Sequence, residues 1–266
     1  VLILNRYNMK LLFNLFFPLL CSLCLAQNNI ETKFAPPVGY ERVYNDNYSK
    51  FLRQFPLKSN NVVKYYDGET KFNNNIWSAV FDYDIGNTDL HQCADAAIYM
   101  RANFLHKNKM YDKLHFNFTS GFRANYTDWL MSKYRVKGNK VWLEKRKNSL
   151  VDNQITHSEW LKKIWMYAGT YSVGKFDTKA VNIMDMKPGD LFVQGGFPGH
   201  IISVVDMAKN KKGHTVYMLA QSYMPAQEHQ ILKNPKDRSV WYHLDESEVI
   251  QTPEYPFRSN QLRRWR

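Results

Sequence analysis

The sequence predicts an α+β protein, an antiparallel β-sheet laid out as a meander in the C-terminal half and packed against helices. Two observations carry this. "MKPGDLFVQ", "GHIISVVDMA" and "HTVYMLAQSY" are apolar runs of strand length, separated only by "GGFP" and by the glycine-containing "KNKKG". Connections this short join antiparallel neighbours. Upstream, Leu90, Cys93, Ala94, Ala97, Ile98, Arg101 and Phe104 recur at spacings of three and four, the pattern of one helix face. Such a helix needs an apolar surface to cover, and the meander supplies one.

The remaining elements follow in order. Prolines and asparagines make residues 27–60 an irregular arm with one short helix around Tyr48 to Gln54. "NVVKYYDGE" and "IWSAVFDYDIG" are rich in β-branched and aromatic residues, close on turns, and read as strands. Thr88 or Asp89 caps the Cys93 helix, which places the cysteine in its first turns. "KLHFNFTSG" alternates as a strand does. "THSEWLKKIWMYAGT" is a second helix, with Thr156 and Glu159 as a capping box and Trp160, Ile164 and Tyr167 as its core stripe.

Not all of the 266 residues belong to this fold. "MKLLFNLFFPLLCSLCLAQNN" holds Lys10, an apolar run from Leu11 to Leu25 and Ala26 at a cleavage position, the layout of a secretory signal peptide. Met9 reads as the initiator. The run is too short and too poorly flanked for a transmembrane helix, so no stable membrane span is expected. Leucine precedes both Cys21 and Cys24, where a lipid anchor needs a small residue. The expected organisation is upstream residues and signal peptide over 1–26, an N-terminal arm over 27–75, and an α+β catalytic-like domain over 76–266 with an insertion at about 108–180. Export across the inner membrane, to the periplasm or surface, follows.

Cleavage removes two of the three cysteines and leaves Cys93 alone, so no intrachain disulfide is expected and an ordinary core must hold the mature chain. The formal net charge is +12, falling to +10 without Arg6 and Lys10. A basic surface suits anionic wall polymers, lipid headgroups or nucleic acid. The lysines are scattered beside turn residues, however, which reads as a solvated surface, and export argues against nucleic acid. A monomer is expected.

A lone thiol in an exported chain poses a choice between a buried apolar residue and a nucleophile. Two influences lower a cysteine pKa: a helix N-terminus and a nearby imidazolium. Of the eight histidines, His106, His157, His214 and His229 sit among polar residues in loops or helix ends, and His91 lies two residues from Cys93. His200 differs. It opens a strand directly after "FPG", where a tight turn presents the imidazole at the sheet rim. In a meander, Gln221 near the end of the next strand lies level with His200, and its amide can accept from the ring N–H. Asp206, at the far end of the His200 strand, is the fallback. The Cys93 backbone N–H and the Gln92 side chain are candidates for an oxyanion hole. Ser222, Tyr223 and Gln227 follow in the polar loop "SYMPAQEHQ", a candidate cleft wall. A metal site at His91, Cys93 and His200 lacks any Cys-x-x-Cys or His-Glu-x-x-His spacing, so neither metal nor cofactor is expected.

"DLHQCADAAIYMRANFL", "GDLFVQGGFPGHIISVVDMA", "LAQSYMPAQEHQILKNP" and "APPVGYERV" together resemble a family of exported bacterial proteins catalogued as domain of unknown function 4846. The likeness spans roughly residues 35–245 and implies no particular activity. More distantly, a cysteine at a helix start, a "PGD" strand, "GH" opening the next strand and a polar residue on the strand after are similar to NlpC-type and CHAP amidases. These papain-like cysteine peptidases cleave bacterial wall peptides. That resemblance implies a papain-like, NlpC-like fold and a peptide or peptidoglycan-derived substrate, with Cys93 as nucleophile, His200 as base and Gln221 as the third polar residue. The competing expectation is a non-catalytic binding or scaffold protein of the same fold with Cys93 buried, as free cysteines commonly are.

Overall fold

A computed structural model describes residues 28–72 and 75–266. The signal-peptide reading, with Cys21 and Cys24, lies outside the described residues. The described elements are α1 (Ile30–Lys33), β1 (Tyr40–Arg42), α2 (Asn47–Gln54), β2 (Trp77–Val80), α3 (Cys93–Lys107), β3 (His115–Asn117), β4 (Arg123–Asn125), α4 (Tyr126–Met131), β5 (Ser132–Lys137), β6 (Lys140–Lys145), α5 (Gln154–Tyr167), α6 (Thr170–Ser172), β7 (Thr178–Ala180), β8 (Leu191–Gln194), β9 (His200–Asn210), β10 (Thr215–Gln221), β11 (Gln230–Leu232), β12 (Tyr242–Leu244), β13 (Val249–Ile250), β14 (Phe257–Arg258) and β15 (Leu262–Trp265). The fold is mixed, with a large antiparallel sheet and several helices.

The sheet runs β2-β11-β10-β9-β8-β15-β7, with β1 added to β9 and β12 to β10. The expected meander is its centre: Gln194 pairs with His200 across β8 and β9, and Ala220 with Ser203 across β9 and β10. β9 is buried from His200 to Ala208 because both of its faces are covered. Ile201, Val205 and Ala208 meet the helices, while Ile202, Val204 and Met207 pack beneath Ile250, Phe257 and Leu262 from the C-terminal segment. α3 lies on the first face through Ala94, Ala97, Ile98 and Met100. Its other side carries the inserted elements, whose core is built on the fully buried Tyr126, Phe116, Phe118 and Trp160.

Several local expectations are corrected. "NVVKYYDGE" forms only isolated bridges, Lys64 to Thr70 and Tyr65 to Gln227, because no neighbouring strand runs along it. α3 begins at Cys93, with Gln92 as its cap, since the Asp89 carboxylate accepts instead from the Ala226 N–H at 2.7 Å and from Gln92 Nε2 at 2.9 Å. α5 is capped by Asn153, whose Oδ1 accepts from the Thr156 N–H at 2.9 Å. The tail "LRRW" carries no recognisable strand pattern, yet it forms β15 between β8 and β7. The arm contributes to the sheet through β1, where Tyr40 pairs with Asn210.

His157 and His229 are not solvent-facing; both are buried. The His157 ring stacks on His106 at 4.1 Å between centroids, neither of its nitrogens has a hydrogen-bond partner, and burial lowers its pKa to about 3. The folded value lies below the unfolded one, so between about pH 6.5 and 3 the unfolded chain binds a proton that the folded chain does not. Its contribution to stability is present above pH 6.5 and is lost as pH falls towards about 3. His157→Phe is therefore expected to flatten the pH dependence of the unfolding free energy in this window by ~1.4 kcal/mol per pH unit. Urea titrations of both proteins at pH 7 and pH 5 check this; an unchanged difference between the two pH values refutes it.

Candidate active site

Cys93 is the first residue of α3, where the backbone N–H groups of a helix lack intrahelical acceptors. Its thiol lies against the N–H groups of Cys93, Ala94 and Ile201, the last being the residue after His200. These donors favour the thiolate, but burial outweighs them: Cys93 is 5 % exposed and its pKa is pushed up to about 11. The combination arises because α3 ends against the rim of β9, which both aims the helix N-terminus at the strand and removes water.

His200 opens β9 and is also buried. Its ring meets Tyr223, Tyr255 and Phe257 at centroid distances of 4.7, 5.3 and 5.8 Å. Burial lowers its pKa to about 4, against a hydrogen bond with Gln221 that acts in the opposite sense. His200 Nε2 lies 2.9 Å from Gln221 Oε1. No hydrogen bond joins the Cys93 thiol to the His200 ring among the described residues.

Two residues absent from the sequence reading determine how Gln221 meets the histidine. Gln221 Nε2 donates to Glu254 Oε2 at 2.5 Å, and Lys71 Nζ donates to both Glu254 oxygens, at 2.8 and 3.1 Å. An ionised carboxylate only accepts, so it holds the amide nitrogen of Gln221 on its own side and turns the amide oxygen towards His200. The ring must then donate from Nε2, which leaves Nδ1 with its lone pair as the basic nitrogen. Lys71 Nζ also donates to Gln227 Oε1 at 2.8 Å, which closes a buried chain of groups from the loop to the histidine. Glu254 lies between prolines in "TPEYP" near the tip connecting β13 and β14, and no spacing in the sequence joins it to Gln221 or Lys71. Glu254→Gln is expected to free the Gln221 amide to flip, so that His200 populates both tautomers. Imidazole ¹⁵N shifts report this directly; a single Nε2–H form in both proteins disproves the role.

The other expected site residues divide. Tyr223 stands at the His200 ring. Ser222 and Gln227 turn inward: Ser222 Oγ donates to the Gln227 and His91 carbonyls at 2.6 and 3.3 Å, and Gln227 holds Lys71 and the Pro225 carbonyl. They brace the loop, and Met224 is the loop residue that reaches the cleft. Gln92 Nε2 is held by Asp89, so the second oxyanion donor expected there is already engaged. Asp206 does not orient His200: it lies six residues along β9, roughly 20 Å away at ~3.3 Å per residue, and binds Arg42 and Arg53. His91 precedes α3 and is buried against Tyr83 and Trp165. Among the described residues no group of three or more His, Cys, Asp or Glu side chains could hold a metal ion.

Cys93 opens onto a cleft of about 230 Å³. The start of α3, the α5–α6 junction, the β8–β9 loop and Met224 line it. Gly199 is where two of these walls meet. A Cβ there would collide with the Thr170 hydroxyl and with the Gly196 and Gln194 carbonyls, so only glycine allows the loop to close on Thr170. Thr170 Oγ1 donates to the Gly196 carbonyl and accepts from its N–H, both at 3.3 Å.

Residues 30–264 match the model of the family described as Domain of unknown function (4846). The chain belongs to this family. No curated protein and no solved structure matches it. In this member of the 4846 family, no helix among the described residues is long and apolar enough to cross a membrane.

Proposed function

We propose that the protein is a secreted cysteine hydrolase that cleaves peptide or amide bonds, including those of cell-wall peptides. One observation carries the reading: a thiol at a helix N-terminus lines a cleft and lies against the N–H of Ile201, the residue that follows a histidine whose Nε2 is held by an amide oxygen, leaving Nδ1 as the basic nitrogen. The fold supports it only at the coarser level of helices on an antiparallel sheet. Export is supported by Lys10 and the apolar run from Leu11 to Leu25.

In this reading Cys93 Sγ attacks the substrate carbonyl while His200 Nδ1 takes the thiol proton. The carbon–nitrogen bond then breaks, and His200 returns the proton to the leaving amine. A water, deprotonated by the same nitrogen, hydrolyses the thioester, releasing the carboxylic acid and restoring the thiol. The N–H groups at the start of α3 face the developing oxyanion. Burial leaves thiol and imidazole uncharged at rest, so proton transfer accompanies attack.

The second reading is a binding or scaffold protein of the same fold with Cys93 as a core residue. It is favoured by the thiol's low exposure and by its raised pKa. Digestion of peptide amides by the wild type and by Cys93→Ala separates the two: cleavage lost with the thiol supports the hydrolase, and equal behaviour of the two proteins supports the scaffold.

A further inference from the structure

The chain carries 36 lysines and arginines against 24 acids, yet none of those cations is among the residues lining the Cys93 cleft. Its acidic lining residues are Asp89 and Asp95, and burial raises the Asp95 carboxyl well above the usual carboxylate range. Asp95 is buried, and its Oδ1 has no hydrogen-bond partner, while Oδ2 accepts from the Gln92 N–H at 3.0 Å. The rest of the wall is largely apolar: Leu90, Trp165 and Ala168, with Tyr171, Phe197 and Met224 exposed at 38 %, 100 % and 50 %. Large apolar side chains left in water around a pocket mark a surface that a ligand covers. The volume of about 230 Å³ lies below the range of roughly 300–1,000 Å³ usual for drug-sized ligands, and so suits a single large side chain more than a glycan-bearing fragment.

Resting on the hydrolase reading, we infer that the cleft selects substrates whose residue beside the scissile bond is large, apolar and uncharged, and that it rejects anionic residues such as glutamyl. A carboxylate entering this cleft would be desolvated without a cation and would face Asp89. An apolar side chain instead covers Trp165, Phe197 and Met224. The acidic lining also opposes the net charge of the molecule, so the selectivity is local to the cleft and is not a by-product of the basic surface.

The test uses binding, which does not depend on turnover. Calorimetric titration of full-length Cys93→Ala with N-acetyl-phenylalaninamide and with N-acetyl-glutamic acid α-amide should favour the phenylalanyl compound by at least about tenfold. The added substitution Met224→Lys, at a half-exposed rim position, should weaken the phenylalanyl compound and strengthen the glutamyl one. Equal affinities, the reverse order, or no binding of either compound overturns the inference. Parallel hydrolysis of the matching anilides by the wild type separates the two layers. Binding in the expected order with every anilide left intact keeps the pocket assignment and removes the hydrolase. Cleavage that prefers glutamyl keeps the hydrolase and removes the pocket assignment.

Discussion

Replacing Cys93 with alanine is expected to abolish amide hydrolysis, and His200→Ala to do the same, each by ~10³-fold or more, because members of a nucleophile–base pair act as one unit. The pH dependence follows from burial. The base must be neutral, and burial lowers the His200 pKa to about 4, so activity should be present above that value and lost as pH falls through it. An ordinary histidine would place this limb near 6.5. The thiol, pushed up to about 11, should alkylate slowly at pH 7 compared with a free cysteine of pKa ~8.5. Profiles of kcat/KM against pH, with iodoacetamide labelling in parallel, measure both. An acid limb near 6.5 would show an imidazole that burial does not perturb, and rapid labelling at neutral pH would show a charged thiolate–imidazolium pair instead. Hydrolysis that survives Cys93→Ala would remove the thiol from the chemistry altogether.

The second large effect concerns stability, at a position remote from the cleft. Asp206 is completely buried. Its carboxylate accepts from Arg42 Nε at 2.7 Å, Arg53 Nε at 3.0 Å and the Met207 N–H at 2.9 Å. Arg53 spends its remaining donors on Asn45 Oδ1 and on the Val43 and Tyr44 carbonyls, and Arg42 reaches the carbonyls of Ile30 and Phe34. One carboxylate thus ties β1, α1 and α2 to the middle of β9. Asp206→Ala leaves two largely buried guanidinium groups without a counter-charge, for which the expected cost is ~3–5 kcal/mol. That is a large part of the ~5–15 kcal/mol by which a domain is stable. Urea unfolding measures it directly, and a loss below about 1 kcal/mol, the level of an exposed ion pair, would contradict the clamp. Asp206→Asn, which keeps the shape and the acceptor oxygen but loses the charge, should fall between the alanine variant and the wild type.

These two expectations mark different degrees of legibility. The pairing of His200 with Gln221 could be read from the sequence because it depends on strand adjacency alone. Two apolar runs joined by a short connection must lie side by side, and their facing ends then share a rim. The position of Cys93 was legible to within a few residues from the three-and-four spacing that follows it. Its cap was not, because Asp89 is drawn away by Ala226, far along the chain. Asp206 was visible as the wrong end of the strand for His200, but its two arginine partners were not, being 164 and 153 positions distant. Glu254 and Lys71 gave no signal, since they meet 183 positions apart at a contact made only when the hairpin tip of β13 and β14 folds over the rim.

Side-chain periodicity and short connections are local properties, and they suffice for the helix at Cys93, the central meander and the shared rim of His200 and Gln221. Long-range packing set which way the Gln221 amide points, how far burial moves the thiol up and the imidazole down, and that the cleft at Cys93 is apolar and acidic in a basic chain. Desolvation and charge are sums over everything packed around a group, and most of what surrounds Cys93 and His200 arrives from segments whose position no local pattern encodes.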